Sequence, residues 1–313
     1  MDSISFAILG DYEIAKEFGK KGTTTDISIY DKKTSDRIYS WISPISFPDK
    51  IQSLLQVLNM VDYVILNVTK MDKYLGEQIV AIDMLKLNKG FILHSWEIDE
   101  NKIKNLIKDS SLSEYKIMDN IESLKEEITK IKQENIDEKN GEVIIPIDHS
   151  FDVKGIGSVI LGSVKKGIIK TYDQVKILPH DQTVTIKSIQ IHDDPFIEAR
   201  HPSRVGLALK GISYDLISRG DIICSNESSL KTINTPVNVR INKSRFYKGE
   251  IQDNQTYLIS VGLQIKPCKF KFLGNNIIQL IPEKPVVIMK NQNFIVLKPD
   301  DQINRIIANG EFA

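Results

Sequence analysis

The stretch from Ile147 to Pro179 reads I-D-H-S-F-D-V-K-G-I-G-S-V-I-L-G-S-V-K-K-G-I-I-K-T-Y-D-Q-V-K-I-L-P. Val153, Val159, Leu161 and Val164 suit short strands, where β-branched and aliphatic side chains pack on a pleated surface. Gly155, Gly157, Gly162 and Gly167 interrupt those strands at intervals that fit bulges, corners or close backbone approach. A small closed barrel needs such corners. Lys187 to Asp194 (K-S-I-Q-I-H-D-D), Arg204 to Ser213 (R-V-G-L-A-L-K-G-I-S) and Arg219 to Cys224 (R-G-D-I-I-C) continue the same strand-and-turn pattern. These glycines shape a barrel and do no chemistry.

Upstream the period changes. Residues 3–9 read as a buried strand, followed by Gly10 and a helical segment to about Gly19. Residues 25–31 and 37–42 read as two strands joined by a polar turn. Ile51, Leu54, Leu55 and Leu58 form the stripe of an amphipathic helix. Val61 to Val68 is a nearly continuous apolar strand, as in a parallel sheet covered on both faces. A helix with Val80, Ala81, Met84, Leu85 and Leu87 follows, then a strand at 90–94. Asp99 caps a helix carrying Ile103, Leu106 and Ile107. After a strand at 115–118, Asp119 and Glu122 open a helix with Ile121, Leu124, Ile128 and Ile131. The expected order is β-α-β-β-α-β-α-β-α-β-α, a doubly wound parallel sheet containing one hairpin. Asn135 to Gly141 is polar and reads as a linker. Beyond it there is little helical periodicity, and a second change near Ser228 to Pro236 precedes another β-rich segment.

Composition excludes several classes. The 313 residues are 41% hydrophobic and 26% charged, ordinary for a globular chain of two or three domains. No apolar run of about 18 residues is present, and the first residues lack a signal-peptide pattern. Two cysteines, Cys224 and Cys268, are too few for a disulfide framework or a zinc cluster. A cytoplasmic protein is expected. Net charge is zero but unevenly spread. Residues 1–140 carry 19 Lys+Arg against 24 Asp+Glu, residues 141–230 carry 10 against 11, and residues 231–313 carry 12 against 6. The basic end favours a polyanionic partner.

Phe151, Val153, Gly155, Gly157, Val159, Gly162, Val164, Gly167 and Asp173 together match the pattern F-x-V-x-G-x-G-(S/T)-V-x-x-G-x-V-x-x-G-x-(I/V)-x-x-x-D. This stretch resembles the second domain of the translation GTPases, the elongation factor Tu-like proteins. It is most similar to the archaeal-type selenocysteine-specific elongation factor, which has a comparable S-I-Q-x-H-D segment. The resemblance implies a Ras-like GTPase domain over residues 1–136, a domain 2-like β-barrel over 141–229 and a domain 3-like β-barrel over 232–313.

The motifs of that implied GTPase are mostly missing. A P-loop reads G-x-x-x-x-G-K-(S/T) between a strand and a helix. Here the segment from Gly10 runs G-D-Y-E-I-A-K-E, keeping Gly10 and Lys16 but placing Ala15 at the second glycine and Glu17 at the Mg²⁺-binding hydroxyl. Asp11 and Glu13 add charge that repels a triphosphate. Gly19 to Thr23 (G-K-K-G-T) lies too late in the chain. Gly22 to Asp26 resembles a switch I remnant, with Thr24 at the hydroxyl position. Ser46 to Lys50 stands where D-x-P-G-H is expected, and His94 to Glu97 (H-S-W-E) where the guanine-reading N-K-x-D is expected. Thr69 to Asp72 (T-K-M-D) resembles that motif in letters but follows the preceding strand. Loss of GTP hydrolysis is therefore expected, with no metal, no cofactor and a vestigial nucleotide site of Gly10, Lys16, Glu17 and Thr24.

In elongation factors the barrels hold charged tRNA, so the resemblance implies tRNA, ribosome or another translation factor as partner, with no membrane and no DNA. Candidate RNA-binding residues are His192, Arg200, His201 and Arg204 in the second domain, and Lys269 and Lys271 in the third. In Ile265 to Leu273, Cys268, Phe270 and Phe272 are expected to face the core opposite the lysines. Arg240, Lys243, Arg245 and Lys248 extend the basic face. Two other readings stand beside this one: an active GTPase with non-standard residues built on Lys16 and Thr24, and a protein-interaction scaffold that regulates a paralogous factor.

Overall fold

The computed structural model describes residues 2–132 and 141–312. The first domain contains β1 (Asp2–Gly10), β2 (Lys20–Thr24), β3 (Ser28–Lys33), β4 (Arg37–Ser43), α1 (Ile51–Met60), β5 (Tyr63–Val68), α2 (Lys73–Met84), β6 (Gly90–His94), α3 (Glu100–Ile107), β7 (Lys116–Met118) and α4 (Ile121–Thr129). The sheet order is β2-β3-β4-β1-β5-β6-β7. β1 runs parallel to β4 and β5, and β5, β6 and β7 are mutually parallel. β2, β3 and β4 are antiparallel neighbours. This is the Ras-like order with one extra edge strand.

Alternation along β1 sends Ala7 and Leu9 to one side of the sheet and Phe6 and Ile8 to the other. The first side packs on α1, α2 and α3 through Leu54, Leu58, Ile79 and Ile103. The second packs on α4 through Leu124 and Ile128, with Trp41, Phe91 and Leu93. Asp72 and Asp99 cap α2 and α3 by accepting main-chain N–H bonds. α4 is capped one residue later than expected, by Asn120, which accepts from Ser123 N. Among the described residues, no helix is long and apolar enough to cross a membrane.

The expected helix over residues 11–19 is not formed. Tyr12–Glu17 makes a short 3-10 turn, and the chain then runs into β2. Only Ile14, Ala15 and Phe18 are apolar after Tyr12, too few for a stripe, and Phe18 N closes on Ala15 O to end the turn. β2 was not expected because it buries no face: all five residues are exposed, so it has no apolar alternation to read.

Two closed six-stranded barrels follow. In the first, Gln174–Leu178, Ile222–Cys224, Ile144–Val153, Gly157–Ser163, Arg204–Lys210 and Gln182–Ile191 pair in that order, and the last returns to the first. Ile145, Ile160, Ile177, Ile186 and Leu207 fill it. Gly162 sits where a Cβ would lie 2.5 Å from the Pro146 carbonyl oxygen, so close strand approach demands glycine. The second barrel pairs Val237–Lys243, Ile277–Pro282, Gln264–Gly274, Thr256–Val261, Asn293–Leu297 and Ile306–Glu311 around Phe270, Leu280 and Phe294. The expected linker residues 135–140, and with them the end of the first domain at 136, lie outside the described residues.

α1 is apolar on more than one side. Eight of its ten residues are buried, beyond the single stripe expected, because it lies between the sheet and the second barrel. Leu263, Ile295, Leu297 and Ile306 of that barrel join the core around α1 and α2. Polar locks surround this contact. Arg305 donates to both carboxylate oxygens of Glu77 and to Pro48 O at 2.5 Å. Gln56 Nε2 donates to Leu263 O at 3.0 Å. The first barrel is tied by Arg219, which donates to Asp26 at 2.6 and 2.8 Å and to Gln56 Oε1 at 3.1 Å.

Candidate functional site

β1 ends at Gly10, with φ +77° and its Cα so close to β5 that a Cβ would lie 2.0 Å from Asn67 O. Asp11 N donates to that same oxygen at 3.1 Å, and Glu13 N donates to Asp11 Oδ1 at 3.1 Å. Two main-chain donors that a phosphate loop would aim at its ligand are thus spent internally. Lys16 lies in the 3-10 turn, exposed and ion-paired with Glu13. That contact lowers the Glu13 pKa and raises that of Lys16 through the hydrogen bond and the charge. Glu17 is exposed beside it, 3.9 Å from Lys125. Thr24 ends the exposed edge strand β2. Gly10 lines one cleft and Lys16 and Glu17 another, Thr24 lines neither, and the carboxylates Asp11, Glu13 and Glu17 add negative charge around the turn.

The other expected positions are structural. Ser46 N donates to Asp26 O, and Lys50 N to Ser46 O, where Lys50 starts α1. Phe47 is buried against Tyr74, and Arg305 lies over its ring. Asp72 is the α2 cap and pairs with Lys70 at 3.1 Å. His94 is buried at the end of β6 with Nδ1 on Ser95 O, while Trp96 is 88% exposed.

The barrel candidates divide by exposure. His192 is exposed at a tight turn, with φ +51°. Arg200 is exposed and bonded to Glu198 at 2.6 Å. His201 Nδ1 contacts Val164 O at 3.0 Å. Arg204, at the parity opposite the core-filling Val205 and Leu207, lines the cleft toward the first domain and makes a two-pronged bond with Asp148, whose side chain is 1% exposed. Burial raises the Asp148 carboxyl, but Arg204 and a hydrogen bond from His149 outweigh it and hold it well below the usual carboxylate range. His149 also reaches Thr25 Oγ1 at 3.2 Å, joining this buried pair to the first domain. Lys269 and Lys271 point outward from the strand whose Cys268 and Phe270 are buried, with Phe272 partly so. Arg240, Lys243, Arg245 and Lys248 are exposed on the same barrel.

Sequence reasoning missed two interdomain pairs, Asp26–Arg219 and Glu77–Arg305, and the Arg204–Asp148 pair within the first barrel. The only available signal was charged residues flanking apolar strands, which by itself does not pair them.

A Ras-like sheet followed by two closed six-stranded barrels defines an elongation-factor-like protein. The family model "Elongation factor Tu domain 2" matches residues 157–224. Uncharacterized protein MJ0325 of Methanocaldococcus jannaschii is 35% identical over 288 residues, 91% of this chain and 92% of the relative. The selenocysteine-specific elongation factor of the same organism is 27% identical over 274 residues, and the match spans 80% of this chain but 58% of that protein. The crystal structure of translation elongation factor SelB from Methanococcus maripaludis, bound to the GTP analogue GPPNHP, superposes with a TM-score of 0.84 at 20% identity, covering 100% of this chain and 80% of that one. The chain belongs to one family with MJ0325, carries an elongation factor Tu domain 2 over residues 157–224 and is homologous to selenocysteine-specific elongation factor.

Proposed function

We propose that this protein is an elongation-factor-like component of translation that neither binds Mg²⁺-GTP nor hydrolyses it, and that it acts in the cytoplasm through its barrels. The observation that carries the reading is the six-residue 3-10 turn Tyr12–Glu17, which stands where a phosphate-binding helix is required. A turn this short has no helix dipole to offer, its first amides are engaged, and its one lysine is neutralised by Glu13. The vestigial residues Gly10, Lys16, Glu17 and Thr24 are read as descent without chemistry.

The partner is read as tRNA, with the ribosome or another translation factor as the other bodies such barrels engage. Supporting this are the exposed cations Lys269, Lys271, Arg240, Lys243 and Lys248 on the second barrel and His192 on the first. Arg204 is bonded to Asp148 and lines the cleft between the first domain and the first barrel, its side chain 19% exposed. Residues 1–136, 141–229 and 232–313 are proposed as the functional units.

Two titrations test the reading. Fluorescent GTP and GDP, with and without Mg²⁺, are expected to show no micromolar binding; such binding, or turnover abolished by Lys16→Ala, overturns it. Filter binding of the full chain to bulk tRNA is expected at low salt, falling steeply as salt rises. No retention at low salt removes RNA and leaves the protein-scaffold reading.

A further inference from the structure

β2 is the outer edge of the first domain's sheet. It pairs with β3 from Lys20↔Asp31 to Thr24↔Ser28, and its main chain bonds to nothing else among the described residues. All five of its residues are exposed. Its far side therefore presents open N–H and C=O groups, the template on which an extended peptide adds as a further strand. The register slips between Lys21 and Thr24. That irregularity, with lysine on the edge, discourages pairing with a second copy of the same strand.

A second, independent observation says which peptide fits. Residues 1–140 carry 19 Lys+Arg against 24 Asp+Glu. The cleft of about 800 Å³ that β2 borders reverses this balance, with seven lysines and arginines lining it against four carboxylates. Two of those carboxylates are engaged, Asp31 by the Ser40 hydroxyl and Asp62 by that of Ser5. Lys16, Lys33, Lys165 and Arg204 are bonded within the protein. Lys20, Lys21 and Lys32 are left exposed, without an ion pair to any described residue. Lys20 and Lys21 point to opposite faces of β2, and Lys32, one residue beyond the Lys20↔Asp31 pair, prolongs the row. Neighbouring carboxylates on an incoming strand come opposite both Lys20 and Lys21, and opposed charges stabilise strand pairing. RNA offers the negative charge but no ladder of main-chain donors and acceptors.

We propose that β2 takes up an acidic extended peptide by strand addition, its main chain pairing along Lys20–Thr24 and its carboxylates meeting Lys20, Lys21 and Lys32. This surface belongs to the first domain and does not rest on the reading of the barrels as an RNA surface.

Fluorescence anisotropy of the full chain with a short fluorescein-labelled peptide of threonine, valine and paired glutamates tests it. Saturable binding is expected at low salt. Two further peptides of the same sequence carry N-methyl groups on alternate amides, one in each phase. Only the phase that faces β2 is expected to lose binding, since the other turns its methyl groups away. Lys20→Glu with Lys21→Glu is expected to weaken the parent peptide about ten-fold, the order of two attractive pairs made repulsive, with circular dichroism unchanged because both side chains are exposed. Lys269→Glu with Lys271→Glu is expected to leave the affinity as it is. Hydrogen exchange of residues 20–24 is expected to slow when the peptide is bound. The proposal is overturned by no saturable binding at millimolar peptide, by N-methylated peptides that bind alike in both phases, or by affinity unchanged in the Lys20/Lys21 variant. Poly-uridylate that displaces the peptide with the same dependence on those lysines also overturns it, since the surface is then a general polyanion site.

Discussion

Replacing Arg305 by methionine isolates what holds the first domain against the second barrel. Arg305 and Glu77 side chains are 11% and 6% exposed, so both charges sit in the buried regime, where solvent screening is weak. Arg305 supplies Glu77 with two side-chain bonds and one from its own main-chain N–H. The substitution keeps the main-chain bond and most of the packing over Phe47 but leaves a carboxylate without its countercharge. Breaking a buried pair on one side costs about 3–5 kcal/mol. At about 2 °C per kcal/mol for a chain of this order of size, the loss in Tm is about 6–10 °C. The double variant Glu77→Leu/Arg305→Met removes both charges. It is expected to fall within about 1–2 kcal/mol of the parent, because paired charges are replaceable by apolar groups where single ones are not. Urea unfolding followed by tryptophan emission reads the first domain, since Trp41 is buried in it and Trp96 is already in solvent. A loss under about 1 kcal/mol for Arg305→Met, or an equal loss for the double variant, refutes the account of this interface as a buried pair set in an apolar contact.

Acid weakens the other lock. Burial raises the Asp26 carboxyl, but the hydrogen bonds and charge of Arg219 outweigh it and bring the pKa down to about 2. A depressed carboxylate stabilises above its unfolded value and loses that stabilisation as pH falls through the folded one, so the Tm difference between parent and Asp26→Asn should be constant above about pH 4 and close toward pH 2. GDP or GTP at millimolar concentration should leave Tm unchanged, because a ligand of the native state alone must raise it. Lys269→Glu with Lys271→Glu should weaken tRNA retention regardless of sequence and reduce the log–log salt slope by about 2 in filter binding. Burial pushes the Cys268 thiol up to about 12 and raises Cys224 as well, so Ellman's reagent should react with neither thiol before unfolding.

Legibility followed burial. The parallel strands and α1 were readable because one or both faces are apolar over many residues, and Ile51, Leu54, Leu55 and Leu58 keep a helical period. The first barrel was readable because closely approaching strands need glycine at fixed points, as Gly162 shows. β2 was not, since a strand that buries nothing leaves no period. The 3-10 turn after Gly10 was mistaken for a helix because strand, glycine and lysine stood at the expected spacing, while helix length depends on an apolar stripe that Tyr12 to Phe18 lacks. The pairing of Arg204 with Asp148 was not legible because the two lie 56 residues apart, and a single sequence does not pair such residues.

The same difference separates the two kinds of site in this chain. Sites assembled from one loop, such as the vestigial phosphate loop, can be judged by letters and spacing. Sites assembled from several strand ends can be judged only once topology brings them together. The cleft beside Gln78 is of the second kind. Asp11 follows β1, Phe47 follows β4, Thr69 follows β5, and Gln78 comes from α2. Carboxylates in the loop after β1 count against phosphate in the sequence. In the structure those carboxylates part: Asp11 lines this cleft beside Tyr12, Phe47 and Tyr74, Glu13 pairs with Lys16, and Glu17 lines a separate cleft, a division that spacing along the loop does not reveal.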